Sequence, residues 1–330
     1  MHPSVVALAR PVLAFAVACG FAAAAHAQQY KWNMPAPYAD GSFHTKNSRM
    51  FADDVRKLTN GRLDITVHAN GSLFKLPEIK RAVQTGQVPI AETNLPAYGN
   101  EFAFFEIDVV LFQAQGYDAV AKLWKIAKPH VEKKLAEQGI TVLYSVPFPG
   151  MGMLSKHPIT KVADMKGTKQ RSWGPTASRF AELVGATPTV LQASELGQAF
   201  TVGIVDSTLT SSTTGVATQA WDYAKYFIDL QATHSKDTII VNTQAFKALP
   251  QDIQTAVLKA AADAEKRGWD WSIREGDETK TRLAKEGMII LTPDAAFIAD
   301  LRKIGETMAR DWEKRAGPDG VAALKELHAK

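Results

Sequence analysis

An arginine and a tryptophan two residues apart carry the clearest chemical signal in this sequence. They lie in residues 166–173, KGTKQRSW, where the stretch from Gly167 to Trp173 is predicted to be extended. Side chains alternate along a strand, so Arg171 and Trp173 point to the same face. A guanidinium directed into a protein is costly unless an anion meets it, and no acid lies close by in the sequence. Either a distant carboxylate of the chain or an anion from outside is therefore expected at Arg171.

Motifs that would support catalysis are missing from the sequence. There is no H-x-x-x-H, H-E-x-x-H or calcium-loop spacing, so neither a metal nor another cofactor is expected. There is no G-x-S-x-G either, and the serine-rich stretch TLTSSTTG (208–215) does not form a nucleophile elbow. Enzyme activity is not expected, although a periplasmic hydrolase or lyase stays open as a rival.

The first residues indicate export. Residues 1–27 contain Arg10, an apolar run and the small-residue site Ala25-His26-Ala27, which predict a signal peptide cleaved before Gln28 and a periplasmic protein. Cys19, the single cysteine, lies within that segment; a lipoprotein anchored there is the alternative. The formal net charge of +4 is spread along the chain, and no basic block resembles a nucleic-acid-binding tract, so no nucleic acid is expected as a partner.

Strands and helices alternate along the chain, which predicts an α/β fold with mostly parallel sheets. The segment from residue 117 to 139 is predicted to be one or two helices broken at Pro129. Residues 249–287 predict an almost continuous helix, long enough to cross two lobes, with a bend at Gly268 or Gly276.

Several phrases occur in an order that resembles one protein family. They are LTNGRLDITVHANGSL (58–73), EIKRAVQTGQVPIAET (78–93), PITKVADMKGTKQR (158–171), LQASELGQAFTVGIVDS (191–207), THSKDTIIVN (233–242) and FKALPQDIQTAVLKAAADAEK (246–266). Together they resemble the periplasmic solute-binding subunit of TRAP transporters, the DctP-like family, over nearly all of the chain after the leader.

The resemblance implies a two-lobed periplasmic binding protein fold with a long helix spanning both lobes. Lobe I is expected to comprise residues 28–147 and 236–275, and lobe II residues 148–235 and 276–330, with a ligand cleft between them. The family phrase D-x-K-G-x-K-x-R matches this chain from Asp164 to Arg171, and its last arginine usually receives the ligand carboxylate. The partners implied are a small organic acid and the small and large TRAP membrane permease subunits; the binding protein of another importer class is the alternative.

Two departures from the family bear on the ligand. Met151 and Met153 occupy a region where members that bind dicarboxylates or sialic acid commonly carry a second arginine. Where those members tend to have an asparagine, this chain has Thr210, Ser211 and Ser212. Methionine side chains adapt to apolar shapes, which favours an aromatic or branched monocarboxylate.

Further candidate ligand residues come from loops and strand ends. The polar side chains of Asn33, Glu92 and Asn94 end predicted strands, where open α/β sheets place their ligands. The aromatic rings of Phe74 and Phe148 are candidates for the cleft wall.

Overall fold

The computed structural model describes residues 29–329. The predicted signal peptide, its cleavage site before Gln28 and Cys19 lie outside the described residues. Within that range, no helix combines the length and the apolar composition needed to cross a bilayer.

The strands of residues 29–329 form three sheets. A two-stranded parallel sheet pairs β1 with β2, a three-stranded sheet has the order β3-β10-β4, and a six-stranded sheet has the order β11-β9-β5-β8-β6-β7. The strands are β1 (Tyr30–Pro35), β2 (Leu63–His68), β3 (Ile90–Asn94), β4 (Ile140–Pro147), β5 (Gly152–Ser155), β6 (Lys169–Ser172), β7 (Thr187–Val190), β8 (Ser207–Thr210), β9 (Tyr226–Ile228), β10 (Lys236–Asn242) and β11 (Ile289–Leu291).

Helices pack on these sheets in the expected α/β arrangement. They are α1 (Phe43–Leu58), α2 (Leu76–Gln84), α3 (Tyr117–Glu137), α4 (Pro175–Leu183), α5 (Leu196–Thr201), α6 (Ser212–Ala217), α7 (Thr243–Lys247), α8 (Gln251–Lys285) and α9 (Ala295–His328). A 3-10 helical segment, Ala103–Val109, precedes α3.

The long helix α8 joins two hydrophobic cores. Ile253, Val257 and Ala264 belong to a core shared with α1, β1, β2 and β4, whereas Leu283 belongs to a core built around β5, β9 and α5. At 35 residues and 1.5 Å per residue, α8 is about 52 Å long and spans both lobes of the fold.

α8 is one continuous helix through both Gly268 and Gly276. A Cβ atom on Gly268 would lie 2.4 Å from a methyl carbon of Val146 and 2.9 Å from the amide nitrogen of Asn47. Glycine is needed here because α8 approaches β4 and α1 too closely for a side chain, and the helix runs on through it.

Two sequence predictions about the fold need correction. The three-stranded sheet is entirely antiparallel, because β10 returns from the second lobe and inserts between β3 and β4. The helix α3 continues through Pro129 without a break. Its buried stripe, which includes Leu123, Ala127 and Val131, packs as one surface, and this packing outweighs the hydrogen bond that the proline removes.

Candidate functional site

Arg171 lies inside the six-stranded sheet and has no acidic partner among residues 29–329. It occupies β6, opposite Thr189 of β7 and Thr208 of β8, so the neighbouring strands supply no carboxylate. The residue is 5% exposed, and its Nε donates to the carbonyl oxygen of Leu191 at 2.9 Å. Within residues 29–329, its two terminal nitrogens form neither a hydrogen bond nor an ion pair. Arg171 therefore keeps two donor nitrogens, with four N–H groups, available.

Burial makes the charged form of the Arg171 guanidinium less favourable than it is in water. Burial lowers its pKa to about 10, partly opposed by Tyr38, Tyr223 and Glu195. Glu195 is the one carboxylate among these three, and its Oε2 accepts a hydrogen bond from the Gln192 main-chain N–H at 2.7 Å. A buried cation without a bonded counter-ion creates a binding site for an anion.

A cavity of about 480 Å³, including the space at its mouth, lies beside Arg171. It is placed between the sheets, since Asn94 of β3 lines one side while Arg171 of β6 and Thr210 of β8 line the other. Of the predicted ligand residues, the cavity brings together Asn94, Phe148, Met151, Arg171, Trp173 and Thr210.

Aromatic rings and a methionine give the cavity a partly apolar wall. The rings of Tyr38 and Phe148 meet edge to face, with centroids 5.3 Å apart. The Trp173 indole N–H donates to the carbonyl oxygen of Leu209 at 3.0 Å, which fixes the ring orientation. Met151 lies against the same space. This wall suits a ligand with a compact apolar body.

Polar groups complete the lining of the cavity. The hydroxyls of Tyr38 and Thr210 form no hydrogen bond to the part of the chain that the structure describes, although both residues line the cavity. Burial raises the pKa of Tyr38 well above its usual value, and Asp237 and Glu92 add to the effect. Tyr38 is therefore a neutral hydroxyl, able to donate a hydrogen bond to a ligand oxygen.

The first-lobe wall of the cavity meets the second lobe at Gly174. A Cβ atom on Gly174 would lie 3.0 Å from the carbonyl oxygen of Pro96 and 3.4 Å from Cα of Ala97. Since the lobes touch directly after Trp173, the absence of a side chain at Gly174 brings the tryptophan up to the cavity.

The remaining predicted residues do not line the cavity. Asn33 is exposed on β1 and bonds His68 at 2.9 Å, because β1 lies in the separate two-stranded sheet. Phe74 is half-buried and packs on the hydrophobic core. Met153 is fully buried within β5.

Three of the predicted polar residues are occupied by structural hydrogen bonds instead. Glu92 is fully buried, and its carboxylate accepts from Ser48 at 2.6 Å and from Thr45 at 3.3 Å on α1. Ser211 caps α6 by accepting from the Thr214 main-chain N–H. Ser212 bonds the hydroxyl of Thr279 on α8 at 2.7 Å. None of the three side chains lines the cavity.

Several lining residues were missed by sequence reasoning. Tyr38 follows the carboxyl end of β1, and that position is itself a usable signal. Ser235 precedes β10, and only the three-dimensional crossover brings it near Asn94, so no local pattern could have found it. The other missed lining residues are Pro37, Leu76, Gln192, Ala193 and Thr214.

No cluster of three or more histidine, cysteine, aspartate or glutamate side chains within residues 29–329 is arranged to hold a metal ion. The lining of the cavity offers a guanidinium, hydroxyl groups, side-chain amides and an apolar wall.

Comparison with known proteins places this geometry among transport receptors. The DctP family model, described as bacterial extracellular solute-binding protein family 7, matches residues 37–315. Two solved structures from Bordetella pertussis, DctP6 and DctP7, are extracytoplasmic solute receptors binding pyroglutamic acid. DctP6 is 43% identical with a TM-score of 0.89, covering 91% of this chain and 100% of its own. DctP7 is 42% identical with a TM-score of 0.88, covering 91% and 99%.

A third solved structure is a TRAP solute-binding protein from an unidentified microbe of a marine metagenome, specific for pyroglutamate. It is 35% identical with a TM-score of 0.88, covering 91% of this chain and 99% of its own.

Proposed function

The chain belongs to the DctP family of TRAP-type solute-binding proteins, and we propose that its ligand is pyroglutamate or a closely similar five-membered cyclic monocarboxylate. The observation that carries this proposal is the buried Arg171, which has two free terminal nitrogens beside a cavity. Its guanidinium fork matches a carboxylate through two parallel charge-assisted hydrogen bonds. A single cation suits a monocarboxylate better than a dicarboxylate.

The rest of the cavity suits the other groups of such a ligand. Trp173, Phe148 and Met151 offer apolar surface to the carbon atoms of the ring. The free hydroxyls of Tyr38 and Thr210 are donors for a ring carbonyl oxygen. The sequence favoured an aromatic or branched acid as the ligand. We prefer a smaller saturated ring, because the three relatives described above bind pyroglutamate.

The division into lobes supports capture by closure. All strands of the two-stranded and three-stranded sheets fall within residues 28–147 and 236–275, and all strands of the six-stranded sheet within 148–235 and 276–330. A ligand held by Arg171 on one side and Asn94 on the other gains contacts from both lobes. It should therefore shift the population towards the closed state.

The proposal includes export, delivery and the absence of chemistry on the ligand. The protein would be secreted after cleavage before Gln28 and would hand its ligand to the small and large subunits of a TRAP membrane permease. Reconstituting it with such a permease in vesicles should give uptake that depends on this protein.

Isothermal titration calorimetry on the chain from Gln28 tests the ligand assignment. The protein should first be unfolded and refolded to remove any co-purified ligand. Pyroglutamate should bind with one-to-one stoichiometry, and at 100 times Kd it should add about 2.7 kcal/mol to the free energy of unfolding. Succinate should bind far more weakly, and recovered pyroglutamate should be chemically unchanged. Preference for succinate or for an aromatic acid would refute the assignment.

A further inference from the structure

Hydrogen bonds to the main chain fix the orientation of the Asn94 side-chain amide. Its Nδ2 donates to Ser235 Oγ at 2.8 Å and to the Lys236 main-chain oxygen at 3.0 Å. A main-chain carbonyl can only accept, so the nitrogen end of the amide must face it. Asn94 is 4% exposed and lines the cavity, and its Oδ1 has no partner among residues 29–329. The amide therefore leaves one hydrogen-bond acceptor for the ligand.

A buried ion pair holds the segment to which Asn94 is bonded. The Nζ of Lys236 lies 3.1 Å from Oδ2 of Asp108, and the Lys236 main-chain N–H donates to the same oxygen at 2.9 Å. Both side chains are nearly inaccessible to solvent. The hydroxyl of Thr233 donates to the main-chain oxygen of Asp108. Asp108 thus anchors both ends of the segment from Thr233 to Lys236, which includes Ser235.

Other contacts restrict the pair to this position. The Lys236 ammonium lies over the ring of Trp124, 5.3 Å from its centroid. The Phe148 main-chain N–H donates to the Ser235 carbonyl oxygen at 2.7 Å. A buried ion pair adds little stability relative to an apolar pair of similar volume, so stability alone does not account for Asp108 and Lys236. The pair instead holds in place Ser235 and Lys236, whose oxygen atoms accept the hydrogen bonds from Asn94 Nδ2.

We propose that Asp108 and Lys236 are positioning residues that fix the Asn94 carbonyl oxygen as an acceptor in the cavity, so that the site selects cyclic carboxylates with a ring N–H. This inference rests on the proposed function and refines its ligand class. Pyroglutamate has such an N–H. Its carbocyclic isostere, in which a CH₂ group replaces the N–H, would leave Asn94 Oδ1 buried and without a partner.

The first experiment compares the two ligands on the full exported chain. The wild-type protein should bind pyroglutamate roughly 10- to 100-fold more tightly than the carbocyclic isostere, because only the isostere strands a buried acceptor. Asn94→Ala should bind both with similar affinity. Equal affinity of the wild-type protein for the two ligands, or full selectivity in Asn94→Ala, would overturn the inference.

The second experiment tests positioning with the double variant Asp108→Ala/Lys236→Met. Removing both charges avoids an unpaired buried ion, so this variant is expected to fold. Its preference for pyroglutamate should fall to about threefold or less, while its affinity for the isostere stays within about threefold of the wild type. A merely structural role would weaken both ligands equally, and that result would overturn the positioning role.

A matched double variant serves as the control. Asp54→Ala/Arg267→Met removes a half-buried ion pair of 3.0 Å between α1 and α8, away from the cavity lining. It should keep the wild-type selectivity; loss of selectivity here would overturn the assignment to Asp108 and Lys236. If the refolded wild-type protein binds neither ligand, the proposed function itself fails, which differs from binding without selectivity.

Discussion

Replacing Arg171 by methionine should separate ligand binding from folding. Two lost charge-assisted hydrogen bonds, each contributing about 1.5–3 kcal/mol, should raise the Kd for pyroglutamate by about 150- to 25,000-fold. Arg171→Lys keeps the positive charge but loses the planar guanidinium, which presents two parallel N–H donors to a carboxylate. It should therefore raise Kd by about 10- to 150-fold, the equivalent of one such bond.

The effect on stability should run in the opposite direction. Burial lowers the pKa of Arg171 from 12.5 to about 10, so keeping the guanidinium charged costs the unliganded fold about 3 kcal/mol. Methionine removes this cost and loses the bond from Nε to the Leu191 oxygen, which contributes about 1.5–3 kcal/mol. The unliganded Arg171→Met variant should therefore be as stable as the wild type, or more stable by about 1 kcal/mol.

Calorimetric titration and urea unfolding of ligand-free protein measure the two quantities separately. Arg179→Met is the matched control, because Arg179 lies on α4, is exposed and pairs with Asp311 at 2.8 Å. It should leave Kd unchanged. If Arg171→Met binds pyroglutamate like the wild type and unfolds several kcal/mol more easily, Arg171 is a structural residue and the reasoning is refuted.

Two further predictions concern buried carboxylates outside the cavity lining. Burial raises the pKa of Glu92 to about 7, so between about pH 4.5 and 7 the folded state binds more protons than the unfolded state. The free energy of unfolding should therefore fall as pH rises through this range, by up to about 3 kcal/mol. Glu92→Gln imitates the protonated acid; in urea titrations it should match the wild type near pH 5 and exceed it near pH 8, whereas equal destabilisation at both would contradict this. Glu106 is fully buried and accepts from the Thr176 main-chain N–H at 3.0 Å and hydroxyl at 2.6 Å, and from Arg315 at 2.5 Å. Glu106→Gln places an amide N–H₂ group against one of these donors and should lower the free energy of unfolding by about 1–3 kcal/mol. The control is Glu78→Gln at an exposed helix-capping residue, which should lower it by less than about 1 kcal/mol. Equal effects of the two variants in urea unfolding would argue against a role for burial.

Local patterns predicted the elements of this fold better than their arrangement. The alternation of strands and helices identified β6 and β10; Arg171 and Trp173 line one cavity, although β6 ends at Ser172. The antiparallel insertion of β10 was not predictable, because strand order depends on contacts between distant residues. The sequence alone suggested a bend at Gly268. The close contact of Gly268 with Val146 of β4 could not be predicted, because the two residues are far apart along the chain.

The candidate site was predicted where a residue's own type limits its environment. A buried guanidinium needs an anion wherever it lies, so Arg171 could be singled out from the sequence alone. A polar residue at a strand end has many ways to satisfy its bonds. Glu92 and Asn94 lie two residues apart on β3, yet one bonds α1 and the other lines the cavity. Only the packing of α1 against that strand distinguishes them.

The unpaired charge on Arg171 also explains why a ligand would close the lobes. In this structure Arg171 is 5% exposed, and Tyr38 of the opposite lobe lies close enough to influence its pKa. Opening the cleft would return Arg171 to water and relieve part of the cost of its burial, so opening should cost the empty protein less free energy than the liganded protein. A bound carboxylate removes that relief, because it pairs with the charge that closure buries. The ligand then shifts the population by the difference between its affinities for the two states, and that difference is concentrated at one side chain.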